Sequence, residues 1–478
     1  MANKNYIVAL ELGSSKASGA IAVENYEGTN IIAYASEPVN GFISKGVVRN
    51  IDETGKCLTS IINKLETQLV GANIGKAYIA LSGLSLKSVK STIRREFGEY
   101  TKITQEIIDS MALENDYTFT APTDYQKVQV ITQEYRMGGD TSLNPIGMSV
   151  KSIESNYLNI IIKEQYMRLL EESLKLAKIE IADSFTAATI CANTILNEDE
   201  KRDGCALVDI GAETTTITIY SNNLLRKLCV LPLGSANITR DLQAEHISQA
   251  DAETLKIHAG YKAESFGESS IGAELRDNII GARMIEILQN VNHQIKNSGE
   301  NINNVIFTGG GAKLKNIEKL IADTLPGTRI RIATDPFVEF NVGNNLLLKR
   351  GEPSATLLGL LKCGKENCCQ DPAPKEQPKM QDIFAEAPKE EPAAVKPVIE
   401  EKEITEEKEK PEKPEKPGKV EKPGKPKPQK SPKDTSLNFF GNLFNSFGEK
   451  VKKTTKDFLD NATREDEEDD YNDDDSAI

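Results

Sequence analysis

The first segment of the chain alternates between apolar and polar residues and then runs apolar. Residues 6–10 form an apolar run that predicts a buried strand, followed by the polar turn Gly13-Ser14-Ser15-Lys16. Residues 17–23 predict a returning strand and residues 31–35 a third. From 51 to 70 the period lengthens to that of a helix, with Leu58, Ile61, Ile62, Leu65 and Leu69 on one face. A strand at 77–81 follows. Residues 84–163 are mixed, with a helix from 104 to about 113 and a strand at 128–135. An amphipathic helix at 165–177 and a strand at 179–185 come next.

The second half repeats the first in outline. An apolar strand at 206–210 runs into Gly211-Ala212-Glu213-Thr214 and a strand at 215–220. Two such units about 200 residues apart predict an internal duplication in an α/β fold. A helix-rich stretch spans 238–297. A strand at 305–308 then reaches Gly309-Gly310-Gly311, with a helix expected from Leu314.

Beyond Leu361 the pattern stops. Of the 20 prolines, 13 lie between Pro372 and Pro432, in a Pro/Lys/Glu run that cannot bury enough surface to fold. As a coil its roughly 65 residues span about 45 Å, and as polyproline II they approach 200 Å. The formal charge is −14, with 21 basic and 29 acidic residues from Cys363 onward, so −8 lies there and −6 before it. That balance, with no basic patch carrying aromatics, argues against nucleic acid as a partner. The seven scattered cysteines predict a reducing compartment rather than a disulfide framework. Cys363, Cys368 and Cys369 have no partner cluster for a metal. No signal core and no window of 18 apolar residues are present, so a cytoplasmic chain is expected.

Three segments carry candidate chemistry. In ELGSSK (Glu11 to Lys16) a turn between strands can line up the N–H groups of Gly13, Ser14 and Ser15 as a phosphate nest, with Lys16 as a further donor. Alone, an ordinary hairpin has the same pattern. VDIGAETTTITIY (Val208 to Tyr220) repeats it, again with a carboxylate, Asp209, two residues before the glycine. Two such hairpins could face a polyphosphate from opposite sides, their carboxylates holding hydrated Mg²⁺ or orienting water. In IFTGGGAKL (Ile306 to Leu314) a strand ends in bare backbone that suits a phosphate or a flat base. It is not a P-loop.

Two phosphate hairpins followed by a Gly-rich loop resemble the actin/Hsp70/sugar-kinase superfamily, and within it the FtsA family of bacterial cell-division proteins. Residues 4–362 and the tail helix carry the resemblance. Glu11 stands where most of the superfamily has Asp. Ile131 to Ser155, with Asn144-Pro145-Ile146-Gly147-Met148, resembles the family's inserted subdomain. Leu231 to Leu242, then Asp251 to Lys256 and Gly260, resembles the stretch leading to the ribose contacts. The resemblance implies an actin-like two-lobed ATPase fold: lobe 1 at 1–84 and 164–204, the insert at 85–163, and lobe 2 at 205–362 with its helical subdomain at 235–300. It also implies ATP with Mg²⁺ as cofactors. Gly13, Ser14, Ser15 and Lys16 would cradle phosphates from one side. Gly211, Ala212, Glu213 and Thr214, with Gly234 nearby, would do so from the other. Glu11 and Asp209 would address Mg²⁺ through water. Glu253 and Lys256 would hold the ribose, Gly309, Gly310 and Gly311 would pass under the adenine, and Lys313 would lie against it. Where hydrolysing relatives carry Glu or Gln to position water, this chain has Ser184 and Thr186, so at most slow hydrolysis is expected.

A linker at 363–435 leads to a terminal helix at 436–460 and an acidic tail at 461–478. On a 100° wheel Leu437, Phe440, Leu443, Phe444, Phe447, Val451 and Phe458 fall within 60° of Phe440, with Lys450, Lys452, Lys453 and Lys456 outside that sector. This is the composition of an in-plane membrane anchor, or of a helix that docks in a partner's groove. The resemblance implies a protein that tethers the FtsZ polymer to the inner face of the cytoplasmic membrane at the division septum. It also implies self-association, other division proteins as partners, and an FtsZ contact within 235–300. The rivals are a pilus-assembly scaffold of the same fold and, on other chemistry, an Hsp70- or sugar-kinase-type phosphotransfer enzyme. The nine acids among the last 15 residues oppose anionic lipid.

Overall fold

The computed structural model describes residues 5–25, 28–69, 72–261, 271–333 and 353–370; the rest of the linker, the terminal helix and the acidic tail lie outside these. The first alternating run becomes an antiparallel meander of β1 (Tyr6–Leu12), β2 (Lys16–Asn25) and β3 (Gly28–Pro38). A small hairpin, β4 (Ile43–Ser44) and β5 (Val47–Val48), leads to α1 (Ile51–Glu66). The Asn50 side chain caps α1 by accepting the Glu53 N–H. Leu58, Ile61, Ile62 and Leu65 are buried on the sheet as their spacing predicts. Gly19 permits that approach: a Cβ there would come within 2.8–3.0 Å of Leu10, Ile61 and Leu65. The lobe continues with β6 (Asn73–Ile74) and β7 (Lys76–Leu81).

The insert is an antiparallel sheet of β8 (Lys87–Lys102), β9 (Tyr125–Met137), β10 (Asp140–Ser142) and β11 (Ser149–Lys163), in the order β10-β9-β11-β8. Its helix α2 (Gln105–Thr118) shares a core with it around Ile103, Met111, Ile153 and Tyr157. The Asn144–Met148 run is the loop between β10 and β11. Asn144 Oδ1 accepts the Ile146 N–H, Gly147 takes a φ of +92°, and two backbone bonds tie Gly147 and Met148 to Ile103.

The chain returns to lobe 1 through α3 (Glu164–Leu176) and β12 (Glu180–Thr186), then passes through α4 (Ala187–Ile195) and α5 (Glu198–Asp203). Lobe 2 opens with a second meander, β13 (Cys205–Ile210), β14 (Thr215–Ser221) and β15 (Leu224–Leu231). Helices α6 (Ser235–Gln243), α7 (Gln249–Ala259) and α8 (Ala273–Lys296) precede β16 (Asn304–Thr308), α9 (Ile317–Thr324) and β17 (Arg329–Ile332). The chain then forms α10 (Ala355–Cys363) and β18 (Cys369–Gln370).

The two five-stranded sheets are topological copies. One reads β3-β2-β1-β7-β12 and the other β15-β14-β13-β16-β17, each with two antiparallel and then two parallel pairings. The helices that follow them are exchanged. Helix α4 leaves lobe 1 and packs against β14 of lobe 2, while α10 leaves lobe 2 and packs on β1, β2 and β7 of lobe 1. They cross at Gly359, where a Cβ would lie 2.3 Å from Thr194 Oγ1 and 2.5 Å from Ile190 Cγ2.

Composition placed the linker from 363, and here the structure differs. Residues 363–370 belong to the folded unit: Cys368 is buried, β18 pairs with β6, and Tyr78 Oη accepts the N–H groups of Lys365 and Glu366. A Cβ on Gly364 would fall 2.2 Å from Ile7 Cγ2 on a core strand. Gly364→Val should therefore cost about 1–3 kcal/mol by overpacking. The urea midpoint should fall accordingly, and an unchanged midpoint would place the end of the fold at 362.

Candidate functional site

The turns after β1 and β13 have one geometry. Gly13 N–H donates to Lys16 O at 3.0 Å, and Gly211 N–H to Thr214 O at 2.8 Å. Each glycine sits so close to that carbonyl that a Cβ would lie 2.9 or 3.0 Å from it. The nest is thus shorter than expected, because the glycine N–H closes the turn instead of facing a ligand. Among the described residues the N–H groups of Ser14, Ser15, Ala212 and Glu213 make no hydrogen bond, and these four are the donors at the two tips. Ser14 Oγ accepts the Gly46 N–H, and Ser15 O accepts that of Val39. Lys16 lies against the Tyr34 ring, its Nζ donating to Tyr34 Oη at 3.3 Å.

The second turn rests on the start of α6. Ser235 and Ala236 donate their N–H groups to Gly211 O and Ala212 O, so this helix end holds the turn rather than an anion. Gly234 is required there, since a Cβ would lie 2.5 Å from Ala212 O. Glu213 departs from expectation. Its Oε2 accepts from Ser44 Oγ at 2.8 Å and from Lys45 N–H at 2.7 Å, in the β4–β5 hairpin of the opposite lobe. A carboxylate beside phosphates would repel them, and here it closes the lobes instead.

Glu11 and Asp209 occupy equivalent positions, opposite Ser18 on β2 and Thr216 on β14. Withdrawal from water pushes the Glu11 carboxyl up from its ordinary 4.5 to about 7; a Ser354 hydroxyl bond pulls it down, the Asp209 charge pushes it up, and Lys16 pulls it down less. Burial raises Asp209 from 3.8 to about 6. Cys191 on α4 is held well above its usual range by burial and by both carboxylates. Ser354, which also caps α10, was missed from sequence. Its signal is a serine before an apolar helical run. No third His, Cys, Asp or Glu joins the pair into a metal cluster among the described residues.

Of the three glycines, two are spacing devices. Gly309 has a φ of +87° and a Cβ there would strike Asp209 Oδ1 at 2.2 Å; one on Gly311 would strike Ile210 Cγ2 at 2.3 Å. Only Gly310 is open, with nothing within 4 Å of a Cβ. The helix expected from Leu314 is instead a 3₁₀ turn, Gly311–Lys313, and then α9, leaving Lys313 exposed. Glu253 and Lys256 share a face of α7, as their spacing requires, 2.8 Å apart. Lys256 is buried and its three donors go to Ser235 O, Thr239 Oγ1 and Glu253. It therefore braces Glu253, which keeps an exposed edge. Ser184 donates its N–H to Asp183, and Thr186 is buried with its hydroxyl on Gln129 Oε1 at 2.9 Å.

Residues 206–346 match the family described as Cell division protein FtsA. The chain is similar to the Cell division protein FtsA of Porphyromonas gingivalis, 28% identical over 372 residues that cover 71% of this chain and 76% of that one. The FtsA of Bacillus subtilis is 26% identical over 359 residues, 71% and 80% of the two chains. Among solved structures, the PilM–PilN type IV pilus biogenesis complex superposes with a TM-score of 0.54 at 16% identity, covering 75% of this chain and 98% of that one. The duplicated sheets and exchanged helices form an actin-like fold.

The raised carboxyl pKa values have a measurable consequence in the nucleotide- and metal-free protein. Between about pH 4.5 and 7 the folded state holds the Glu11 proton that the unfolded chain releases. Stability from this group therefore falls as pH rises through that window and stays low above it. Glu11→Gln should match the parent in thermal melts at pH 5 and melt a few degrees higher at pH 8. Parallel pH profiles for the two proteins would show that Glu11 is not the strained group.

Proposed function

We propose that this chain, which belongs to the FtsA family of bacterial cell-division proteins, binds ATP between its two lobes and tethers the FtsZ polymer to the inner face of the cytoplasmic membrane at the division septum. The observation that carries the nucleotide reading is the pairing of two equivalent turns, each backed by a carboxylate in a strand that leads into it, with Gly309 pressed against Asp209. The β- and γ-phosphates would lie between the tips, on the N–H groups of Ser14, Ser15, Ala212 and Glu213. Glu253 would meet the ribose with Lys256 as its brace, and Gly310 would lie under the adenine with Lys313 at its edge.

Two part-dry carboxylates, both raised by burial and Glu11 also by the Asp209 charge, form a hard oxygen donor set that fits a divalent cation such as Mg²⁺. Glu11 and Asp209 would hold it through water, and when bound it would neutralise charge on the phosphates. The donors at the tips orient the phosphates and the closed Glu213 contact keeps bulk water out.

Beyond the cleft the proposal rests on sequence. The α6–α8 region would meet FtsZ. The helix at 436–460 would bury Phe440, Phe444 and Phe447 in lipid, with the four lysines drawn to anionic headgroups. Self-association would multiply weak helices into firm attachment by avidity. The pilus-scaffold reading shares the fold of the PilM–PilN complex, but the terminal aromatic helix and the sequence relatives favour division. A kinase would need a placed carboxylate base for its acceptor, and neither Glu11 nor Asp209 stands apart from the phosphate side to serve.

Asp209→Ala and Gly211→Val should each weaken ATP binding at least tenfold, about 1.4 kcal/mol. Unchanged affinity by calorimetry in both would refute the cleft assignment. In liposome pelleting, changing Phe440 and Phe444 to Asp should abolish binding without altering ATP affinity. Removing 464–478 should strengthen binding to anionic vesicles, most clearly at low salt. If the double variant still pellets, the helix is a docking element for a protein partner.

A further inference from the structure

The turns after β1 and β13 meet one short hairpin. Its strands β4 and β5 are joined by Lys45 and Gly46 alone, and both residues take left-handed backbones, with φ of +53° and +70°. That is the two-residue turn whose twist matches a pair of strands. Glycine adopts it freely, while a lysine does so only where its surroundings hold it. Here they do. Lys45 O accepts the Leu84 N–H at 3.1 Å, and a Cβ on Gly46 would lie 2.8 Å from Gly83 Cα. A Cβ on Gly83 would in turn lie 2.9 Å from Gly46 O, so two bare backbones are pressed together at the apex. The hairpin is seated on the chain just past β7.

The apex gives its two adjacent N–H groups to different turns. That of Gly46 goes to Ser14 Oγ at 2.9 Å, in the first turn, and that of Lys45 to Glu213 Oε2 at 2.7 Å, in the second. Ser44, the residue before, donates its hydroxyl to the same carboxylate oxygen at 2.8 Å. Three consecutive residues of lobe 1 thus hold the tips of both turns, one from each lobe. Among the described residues, the N–H groups of Ser14 and Glu213 themselves make no hydrogen bond. Each of these two residues therefore keeps its backbone donor unspent while its side chain is tied to the hairpin. Hydrogen bonds to a carboxylate are stronger than those between neutral groups, so the Glu213 side is the firmer half.

We propose that Glu213 is a positioning residue that, through the β4–β5 apex, keeps the two turns together and sets the rate at which bound nucleotide leaves. The inference rests on the reading of the cleft as an ATP site. Phosphates held on the N–H groups of Ser14, Ser15, Ala212 and Glu213 touch both lobes, and they leave when the turns part. Parting requires Glu213 Oε2 to shed both donors, because Ser44 and Lys45 belong to lobe 1 and Glu213 to lobe 2. Removing the Glu213 side chain takes no donor from the phosphates, since the N–H stays. The side chain therefore acts on opening and not on the contacts with the ligand. The direction of the effect separates this role from that of a negative charge near phosphates. A repelling carboxylate hastens release, and its removal would slow it. A tie delays release, and its removal speeds it.

The test uses the full chain with a fluorescent ATP analogue, its release timed by chase with unlabelled ATP, and amide exchange at residues 43–48 measured without nucleotide. Glu213→Ala should speed release at least about tenfold, the scale of losing bonds to a charged acceptor. Ser44→Ala, which removes one donor, should speed it by less, and adding it to Glu213→Ala should change nothing further. Glu213→Gln keeps an oxygen that can accept from both donors and should stay close to the parental rate. The Lys45 amide should be protected in the parent and lose that protection in Glu213→Ala. Release that is unchanged or slower in Glu213→Ala would overturn the proposal. So would a glutamine variant as fast as the alanine one, independent effects of Ser44→Ala and Glu213→Ala, or an unprotected Lys45 amide in the parent. A parent that binds no nucleotide would remove the cleft reading and the control of release with it, whereas Lys45 protection would still report the tie itself.

Discussion

Two carboxylates in one part-dry space are the constraint around which this molecule is arranged. Glu11 and Asp209 push their own ionisation upward, the first to about 7 and the second to about 6, chiefly because protein replaces water around them. Their neighbours offset only part of this. Ser354 donates to Glu11, Lys16 lends a distant charge, and Gly309 leaves Asp209 room by having no side chain. Both acids therefore carry an unrelieved cost of ionisation in the folded protein.

Duplication brings those acids together, and exchange of helices keeps them there. Each sheet places a carboxylate in the strand that leads into its first turn. The helix leaving each lobe packs on the other, with Gly359 allowing α4 and α10 to touch backbone to side chain. The insert is fastened to lobe 2 as well. Arg226 on β15 reaches Glu134 and Gln133 on β9, and Ser88 on β8 bonds the backbone of Leu228. An element inserted in lobe 1 by sequence is therefore braced by lobe 2 in space.

What could be read from the chain alone follows the range of the forces involved. The meander strands, the α1 face and the recurrence of the turns are local patterns, and they stand within a few residues of their predicted bounds. The equivalence of Glu11 and Asp209 was also legible, because each lies two positions before a glycine that opens a turn. Glu213 was misread because its partners, Ser44 and Lys45, are some 170 positions away. The Thr186–Gln129 hydrogen bond was invisible for the same reason: only the packed insert brings the two together. Residues 363–370 look like linker by composition, yet the hydroxyl of Tyr78 and the edge of β6 fold them in. Even Gly13 shows the limit, since spacing marks the turn but not which N–H groups the turn spends on itself.

The Glu213 contact also decides which surroundings the cleft can sense. Its two donors across the gap, a serine hydroxyl and a backbone N–H, are neutral. An ion pair spanning the lobes would weaken as mobile ions gathered around it. Across the gap the carboxylate is received by uncharged groups, a short-range, directional clasp with little for those ions to screen. Its other oxygen lies 3.9 Å from the Arg240 guanidinium within its own lobe, and salt acts on that side alone.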